Sequence, residues 1–270
     1  MKVNKYIPTY FALAMALLLG QQTALAADAF HWPNGARAAV SLGYDDAIDS
    51  QLDHAIPTLD KYQLKGTFYL QLSNPAVGKR MAEWRSAAKN GHELGNHSLF
   101  HQCSRSAADR DWVQVNRDLD TTSVAQMKDQ VLVANTMLTA IDGKRERTYT
   151  VPCGDLKAGG ASSYVPAIVS EFVAIKAGGQ IVTATPTTLD PRITMVTAPV
   201  GLSGQQLIAM VKDAADKGGM IAFTFHGIGG DYLTTSAEAH EELVKYLAQN
   251  KQLYWTDTLL DIMTYVKQQK

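Results

Sequence analysis

The chain has little of several features that would assign a protein to a class directly. Its 270 residues include only two cysteines, and its formal net charge is -1. A dense disulfide scaffold is therefore excluded, and so is the strongly basic surface that binds nucleic acid or anionic lipid. After the N-terminal region, no apolar run approaches the ~20 residues of a transmembrane helix. We therefore expect neither a nucleic-acid partner nor stable insertion into a membrane.

The N-terminus has the pattern of a secretory signal peptide. Two lysines precede an apolar run over residues 11–19, and Ala24-Leu25-Ala26 offers the small residues after which signal peptidase cleaves. The run is too short to cross a bilayer, although an uncleaved N-terminal anchor is the alternative. The sequence predicts a signal peptide over residues 1–26, export to the periplasm or the medium, and one mature domain over residues 27–270.

Along the mature chain, short apolar strands alternate with amphipathic helices. The predicted strands cover residues 37–44, 66–70, 148–151, 172–175, 220–225 and 253–256. The predicted helices cover residues 52–62, 79–90, 124–141, 205–216, 237–249 and 258–266. The polar residues 102–123 predict a long loop with a broken helix, and Gly178-Gly179 predicts a turn. This alternation favours an α/β fold of parallel strands with crossover helices.

Carboxylates follow the predicted strand over residues 37–44, an imidazole follows the one over residues 220–225, and His97 follows residues 91–96, which look like the end of a strand. Because α/β barrels keep their chemistry at the carboxyl ends of the strands, these side chains are candidate site residues. His97 and His101 have the i, i+4 spacing that, on a helical turn, offers two nitrogens to one metal. Asp45 and Asp46 point in different directions, so one can bind a cation while the other takes a proton from water. His226 is a candidate general acid.

Each of these residues also has a structural interpretation. The two histidines of the i, i+4 pair can be surface or capping residues, and Asp45-Asp46 can be a solvated turn or a helix N-cap. His226 can be a buried, hydrogen-bonded histidine. The two cysteines, Cys103 and Cys153, lie close to the candidate site in sequence. If the segments converge in an oxidising compartment, a Cys103–Cys153 disulfide is predicted; two separate buried thiols are the alternative.

Read together, these segments resemble the motifs of the polysaccharide deacetylase family, carbohydrate esterase family four, whose shared unit is the NodB homology domain. Gly43-Tyr44-Asp45-Asp46 is similar to the family's Thr-Phe-Asp-Asp. His97-Ser98-Leu99-Phe100-His101 matches its His-Ser/Thr-x-x-His in full, and Thr224-Phe225-His226 stands for Leu-x-His. The correspondence covers roughly residues 37–266. It implies a distorted (β/α) barrel of seven or eight strands.

The resemblance also implies a role for each matching residue. Asp46, His97 and His101 would bind one divalent metal ion, most often Zn²⁺. Asp45 would be the general base and His226 the general acid. The oxyanion would rest on the metal and on the backbone N–H of Cys153, which follows Pro152. The expected protein is an exported hydrolase that removes N-acetyl groups from an acetylated glycan or oligosaccharide.

The chain departs from the family at two motifs, which leaves alternatives open. Where the third motif has Arg-x-Pro-aromatic-Gly, this chain has Thr150 and Cys153 in place of the arginine and the aromatic residue. By the resemblance, that arginine steadies the general base, and Arg147 and Arg192 are candidates to replace it. The fourth motif, Asp-x-x-Asp-Trp, is not recognisable, although Asp190 lies in about the right interval.

The alternatives to the N-deacetylase are an O-acetyl esterase acting on a xylan-type glycan, a cyclic-amide or N-formyl hydrolase acting on a small molecule, and a glycan-binding protein with a silent metal site. If exposed, Trp112 and Tyr232 are suited to stack on sugar rings at an open groove.

Overall fold

A curled sheet of parallel strands forms the centre of the fold in the computed structural model. The structure describes Met1 and residues 30–269, except residues 161, 178–188, 191 and 196. The predicted signal peptide and the Gly178-Gly179 turn lie outside the described residues. From His31 onward, the described residues form one compact unit. Within the described ranges, none of the helices has the length and apolar character needed to cross a bilayer.

The strands are short and mostly buried. They are β1 Ala38–Asp45, β2 Thr67–Leu70, β3 Glu93–Asn96, β4 Tyr149–Thr150, β5 Lys157–Ala158, β6 Ser162–Ser163, β7 Ile175–Ala177, β8 Ile193–Met195, β9 Met220–Phe225 and β10 Tyr254–Asp257. All except the antiparallel pair β5–β6 form one parallel sheet in the order β10-β1-β2-β3-β4-β7-β8, and β9 also pairs with β1. A bridge between Thr197 and Phe223 joins the segment after β8 to β9. The sheet therefore curls back on itself, and the predicted distorted α/β barrel is confirmed.

Seven α-helices are described around this sheet. They are α1 Ile56–Lys61, α2 Pro75–Lys79, α3 Met81–Lys89, α4 Val124–Asp142, α5 Gly204–Asp216, α6 Ala237–Gln249 and α7 Leu259–Gln268. The longest, α4, begins at the capping box of Ser123 and Gln126 and ends at Gly143, whose φ of 76° is readily adopted only by glycine. The sequence therefore sets both ends of this helix.

The structure corrects several predicted boundaries. The predicted helix over residues 79–90 is α3, which begins only at Met81 because Arg80 lies outside the helical conformation at φ -117° and ψ 28°; α2, which ends at Lys79, was not predicted. The strand predicted over residues 172–175 begins only at Ile175, and strand β8 was not predicted. The long loop over residues 102–123 contains two 3₁₀ turns, Val115–Arg117 and Leu119–Thr121.

The core surrounds β1, whose eight residues are all buried. Burial on both faces is expected for a parallel sheet covered by helices. Tyr44 stacks on Phe68 and Phe225, with ring centroids 4.6 and 5.6 Å apart. Since β1, β3, β4 and β9 run parallel, the residues at their carboxyl ends share one edge of the barrel.

Candidate active site

The predicted site residues converge on one cavity at the carboxyl ends of the strands. Asp45 ends β1, His97 directly follows β3 and His226 directly follows β9. Together with Asp46 and His101, these side chains line a cavity of about 980 Å³. Residues that are distant in sequence are therefore brought together by the parallel topology.

Asp46 and the two histidines form a cluster with the geometry of a metal site. Asp46 Oδ1 lies 3.1 Å from His97 Nε2 and 3.3 Å from His101 Nε2. One ligand atom from each of the three residues lies within 4.8 Å of the other two. Asp46 Oδ1 is buried and accepts no hydrogen bond from any described residue. One carboxylate and two imidazoles suit a divalent ion such as Zn²⁺, with coordination positions left open.

A backbone contact orients His97 toward this cluster. His97 Nδ1 lies 3.0 Å from the carbonyl oxygen of Thr150, at the end of β4. Since the carbonyl can only accept, Nδ1 carries the proton and Nε2 keeps its lone pair when the imidazole is neutral. Thr150 therefore sets the histidine tautomer that metal binding requires.

Burial and mutual charge shift the titration of the cluster. Burial alone would raise the pKa of Asp46, but the neighbouring imidazole of His97, together with those of His101 and His226, holds it below its usual range. Burial and the neighbouring charge of His97 lower the pKa of His101 to about 4. Burial would lower the pKa of His97, yet the carboxylates of Asp45 and Asp46 raise it. His101 is thus neutral near pH 7, as a ligand must be.

His97 and His101, the two candidate metal ligands, do not lie on a helical turn, so the i, i+4 spacing was the wrong reason for pairing them. Residues 97–101 form an irregular loop in which Ser98 and His101 have φ of 61° and 51°. Asn96 Oδ1 accepts a hydrogen bond from the Ser98 N–H at 2.7 Å, and Ser98 Oγ accepts one from the His101 N–H at 2.9 Å. These side-chain bonds to the backbone stabilise the turn and bring both Nε2 atoms to the same carboxylate.

Asp45 has a buried partner that the sequence analysis missed. Lys176, in β7, donates a hydrogen bond from Nζ to Asp45 Oδ1 at 2.5 Å, and the two side chains are 2% and 8% exposed. Thr150 Oγ1 donates a longer bond to Asp45 Oδ2 at 3.4 Å. Burial lowers the pKa of Lys176, and the charge of Asp45 opposes this shift. The available signal was a single lysine within the apolar stretch Ala174-Ile175-Lys176-Ala177.

The replacements suggested from the sequence lie elsewhere. Arg147 binds Asp142 and the carbonyl oxygen of Leu94, and Arg192 is an exposed residue that pairs with Asp190. Neither arginine contacts Asp45. The Asp190 side chain is 48% exposed, and of the described carboxylates it is Asp46 that contacts His226.

Cys103 and Cys153 form a disulfide at the edge of the site. Cys153 lies in the 3₁₀ turn Pro152–Gly154 with φ of 55°, and its N–H donates no hydrogen bond to the backbone of a described residue. Cys103 Sγ lies 3.5 Å from His101 Nδ1. The disulfide therefore connects the loop that follows His101 to the turn that contains the candidate oxyanion donor.

His226 and an exposed tyrosine complete the surroundings of Asp46. His226 Nε2 lies 3.9 Å from Asp46 Oδ2, and Tyr232 donates a hydrogen bond to the same oxygen at 2.7 Å. Gln51 donates from Nε2 to the carbonyl oxygens of Asp45 and His226, at 2.5 and 3.2 Å, and so fixes the ends of β1 and β9 relative to each other. Neither the Tyr232 contact nor Gln51 was predicted.

Exposed aromatic residues lie at the mouth of the cavity. Trp112 and Tyr232 line it and are 61% and 52% exposed. Arg110 lies over the Trp112 ring, with its guanidinium carbon 5.7 Å from the ring centroid. These side chains offer flat surfaces beside the catalytic candidates.

Comparisons with known proteins agree with this geometry. Residues 33–163 match the family model described as polysaccharide deacetylase. A search of curated protein sequences finds no match. The resemblance to the polysaccharide deacetylase family is thereby confirmed, and it supports a hydrolase of the deacetylase type.

Several solved structures share the fold. A putative polysaccharide deacetylase from Mycobacterium smegmatis is 15% identical with a TM-score of 0.63, over 89% of this chain and 93% of that one. Peptidoglycan deacetylase PdaC from Bacillus subtilis is 19% identical with a TM-score of 0.54, over 86% and 92%. The Xyl-CE4 domain of a multidomain xylanase from the hindgut metagenome of Trinervitermes trinervoides is 16% identical with a TM-score of 0.52, over 85% and 91%. At these identities the likeness establishes the fold alone.

Proposed function

We propose that this protein is an exported, metal-dependent hydrolase that removes N-acetyl groups from glycans containing N-acetylated amino sugars. One observation carries the proposal. Asp46 Oδ1 is buried without a hydrogen bond from a described residue and faces the Nε2 atoms of His97 and His101. Asp45, the next residue, lines the same cavity. A set of metal ligands beside a separate carboxylate base is the arrangement required for hydrolysis of an acyl group by an activated water.

Asp46, His97 and His101 are the residues that hold the metal ion, and their donor set favours Zn²⁺. When bound, such a cation acts as a Lewis acid and lowers the pKa of a bound water to about 7. The Tyr232 hydroxyl and the Thr150 carbonyl orient Asp46 and His97. Loss of such a contact to a ligating residue typically costs about 10- to 100-fold in metal affinity or activity.

The remaining steps belong to the chain's own residues. Asp45 accepts a proton from the attacking water while the water oxygen forms its bond to the acetyl carbon. The N–H of Cys153 donates a hydrogen bond to the acetyl oxygen as negative charge develops there. His226 gives a proton to the departing nitrogen, so that the C–N bond breaks with release of acetate and a free amine. Trp112 and Tyr232 provide surfaces on which sugar rings stack.

The test is acetate release by the purified protein from chitooligosaccharides and peptidoglycan fragments. Asp45→Asn and His226→Ala are each expected to lower kcat by about 10²- to 10⁴-fold, the usual contribution of general acid–base catalysis. Asp49→Asn and His54→Ala are matched controls, since both side chains are exposed, and both should keep wild-type rates. Equal rates in all five proteins would remove the catalytic assignment.

Metal dependence is tested separately. Treatment with a chelator should abolish acetate release, and Zn²⁺ should restore it. Isothermal titration should detect one Zn²⁺ per chain in the wild type and a much weaker site in Asp46→Asn. Tight, equal binding by both proteins would contradict the ligand assignment.

A second candidate is an O-acetyl esterase, which is favoured by the likeness to the Xyl-CE4 domain of a xylanase. The same base and oxyanion donor serve an ester, but an alcohol leaves more easily than an amine and depends less on protonation. Acetate release from acetylated xylan, with only a small loss in His226→Ala, would identify the esterase. No release from either class of glycan, together with retained glycan binding, would identify a binding protein with a silent metal site.

A further inference from the structure

The interior of the barrel holds one buried lysine whose position calls for an explanation. Lys176 is 2% exposed, and its Nζ lies 2.5 Å from Asp45 Oδ1 and 4.2 Å from the centroid of the Tyr69 ring. Burying an ammonium group is strongly unfavourable unless it is paired. Asp45 and the Tyr69 ring provide that pairing, so Lys176 and Asp45 depend on each other.

The strand register places Lys176 beside the residue that departs from the third family motif. In the pairing of β4 with β7, Thr150 is the partner of Lys176. Partners in a parallel pair lie about 4.8 Å apart and point to the same face of the sheet. A cation that starts from residue 176 therefore reaches the same region of the interior as one that starts from residue 150. Thr150 itself contacts the other oxygen of Asp45, at 3.4 Å.

The surrounding residues leave space for this side chain. A Cβ atom at Gly43, in β1, would lie 3.6 Å from Lys176 Nζ and only 2.9 Å from the backbone oxygen of Phe223. Glycine at this position keeps the backbone of β9 close to β1 while the ammonium group occupies the interior. The packing around Gly43 therefore accommodates the Lys176 side chain inside the barrel.

We propose that Lys176 is a positioning residue that holds the base, Asp45, and takes the place of the arginine of the third motif; this inference rests on the proposed function. Lys176 engages Oδ1 of Asp45 and fixes the plane of the carboxylate. Oδ2, which receives only the long bond from Thr150 among the described residues, is then the oxygen that accepts the proton of the attacking water. Without the lysine, the long bond from Thr150 holds the carboxylate less firmly, and the carboxylate loses this orientation.

The experiment compares five variants with the wild type in acetate release, Zn²⁺ binding and thermal unfolding. Lys176→Met keeps the stem and removes the charge, and Lys176→Arg restores a cation. The pair Lys176→Ala and Thr150→Arg/Lys176→Ala tests whether the cation can be supplied from the neighbouring strand. Arg147→Met is the matched control, because Arg147 is a cation that is 1% exposed and is paired with Asp142 away from the site.

For Lys176→Met we expect kcat to fall by about 100-fold or more, with KM and Zn²⁺ affinity within a few-fold of the wild type. Lys176→Arg should lie within about tenfold of the wild type, and Thr150→Arg/Lys176→Ala should exceed Lys176→Ala by at least about tenfold. The expected changes in kcat are scaled to the rate enhancement of about 10²- to 10⁴-fold that a correctly positioned general base contributes. Arg147→Met should lower the melting temperature but leave kcat of the folded protein unchanged.

Several results would overturn the inference. Wild-type kcat in Lys176→Met, or an equal loss in Lys176→Arg, would show that the ammonium group does not position the base. If Arg147→Met lost as much kcat as Lys176→Met, the effect of Lys176 would be explained by lost stability and not by positioning of the base. No gain in the double variant would contradict the replacement of the arginine. If the wild type releases no acetate from any glycan, the proposed function fails, and the positioning role fails with it.

Discussion

Removal of the Cys103–Cys153 disulfide is expected to cost both stability and metal affinity. The bond closes a segment with a sequence separation of 50 residues. In the chain-entropy model, a loop of this length restricts the unfolded chain enough to give about 4 kcal/mol of stabilisation at 25 °C. The same bond ties the loop after His101 to the turn that carries the Cys153 N–H. Its loss should therefore loosen a metal ligand and the oxyanion donor together.

The assay is urea unfolding at pH 7 of the oxidised wild type, of the wild type with reductant, and of Cys103→Ala/Cys153→Ala. Both perturbed forms should lose up to about 4 kcal/mol of unfolding free energy. Isothermal titration with Zn²⁺ should show weaker binding in the double variant. Equal unfolding free energies in all three samples, or mass spectra in which both thiols are alkylated without reductant, would refute the reasoning.

Three further predictions concern other contacts. Tyr232→Phe removes the hydroxyl that donates a hydrogen bond to Asp46 at 2.7 Å. Titration calorimetry should show Zn²⁺ binding that is about 10- to 100-fold weaker. The control is Tyr62→Phe, which loses a hydrogen bond to Glu241 outside the site and should leave Zn²⁺ binding unchanged. Burial lowers the pKa of His240 to about 4, so the folded form binds fewer protons than the unfolded chain between pH 4 and 6.5. Stability should therefore fall as pH falls, by about 2 kcal/mol from pH 7 to pH 5 for this residue, and urea unfolding of His240→Gln should show a correspondingly smaller pH dependence. Mass spectrometry of the protein recovered outside the cytoplasm should give an N-terminus at Ala27; a mass that retains the first 26 residues would contradict the predicted signal peptide.

The sequence was informative about the candidate site wherever a local pattern fixes the geometry. Asp45 ends an apolar strand, His226 directly follows another, and His97 directly follows a short strand. Parallel strands bring such positions to one edge of a barrel without any knowledge of pairing. The prediction of a shared cavity needed only that alternation. The helical i, i+4 spacing was the wrong reason for pairing His97 with His101. The two residues lie in a loop that contains left-handed residues and is stabilised by a hydrogen bond to Ser98.

The features that the sequence did not reveal all depend on register or on distant contacts. Lys176 is opposite Thr150 only because β7 pairs with β4 in one particular alignment. Its strand was predicted over residues 172–175, which placed the lysine just beyond the end. Gln51 acts through two backbone carbonyls that belong to different strands. No periodicity in the chain carries such information, since hydrogen bonding between strands follows from the assembled barrel.

The two departures from the third motif have a common physical solution, in which a residue far along the chain supplies what the local motif lacks. Thr150 cannot pair with a carboxylate as arginine does, and Lys176 provides the charge from the adjacent strand. Cys153 lacks the bulk of an aromatic residue, and its bond to Cys103 fixes the turn covalently. Each replacement involves two positions, so restoring one alone should be unfavourable. Thr150→Arg with Lys176 retained would place two cations beside one buried carboxylate, and their repulsion should lower stability more than the double exchange does.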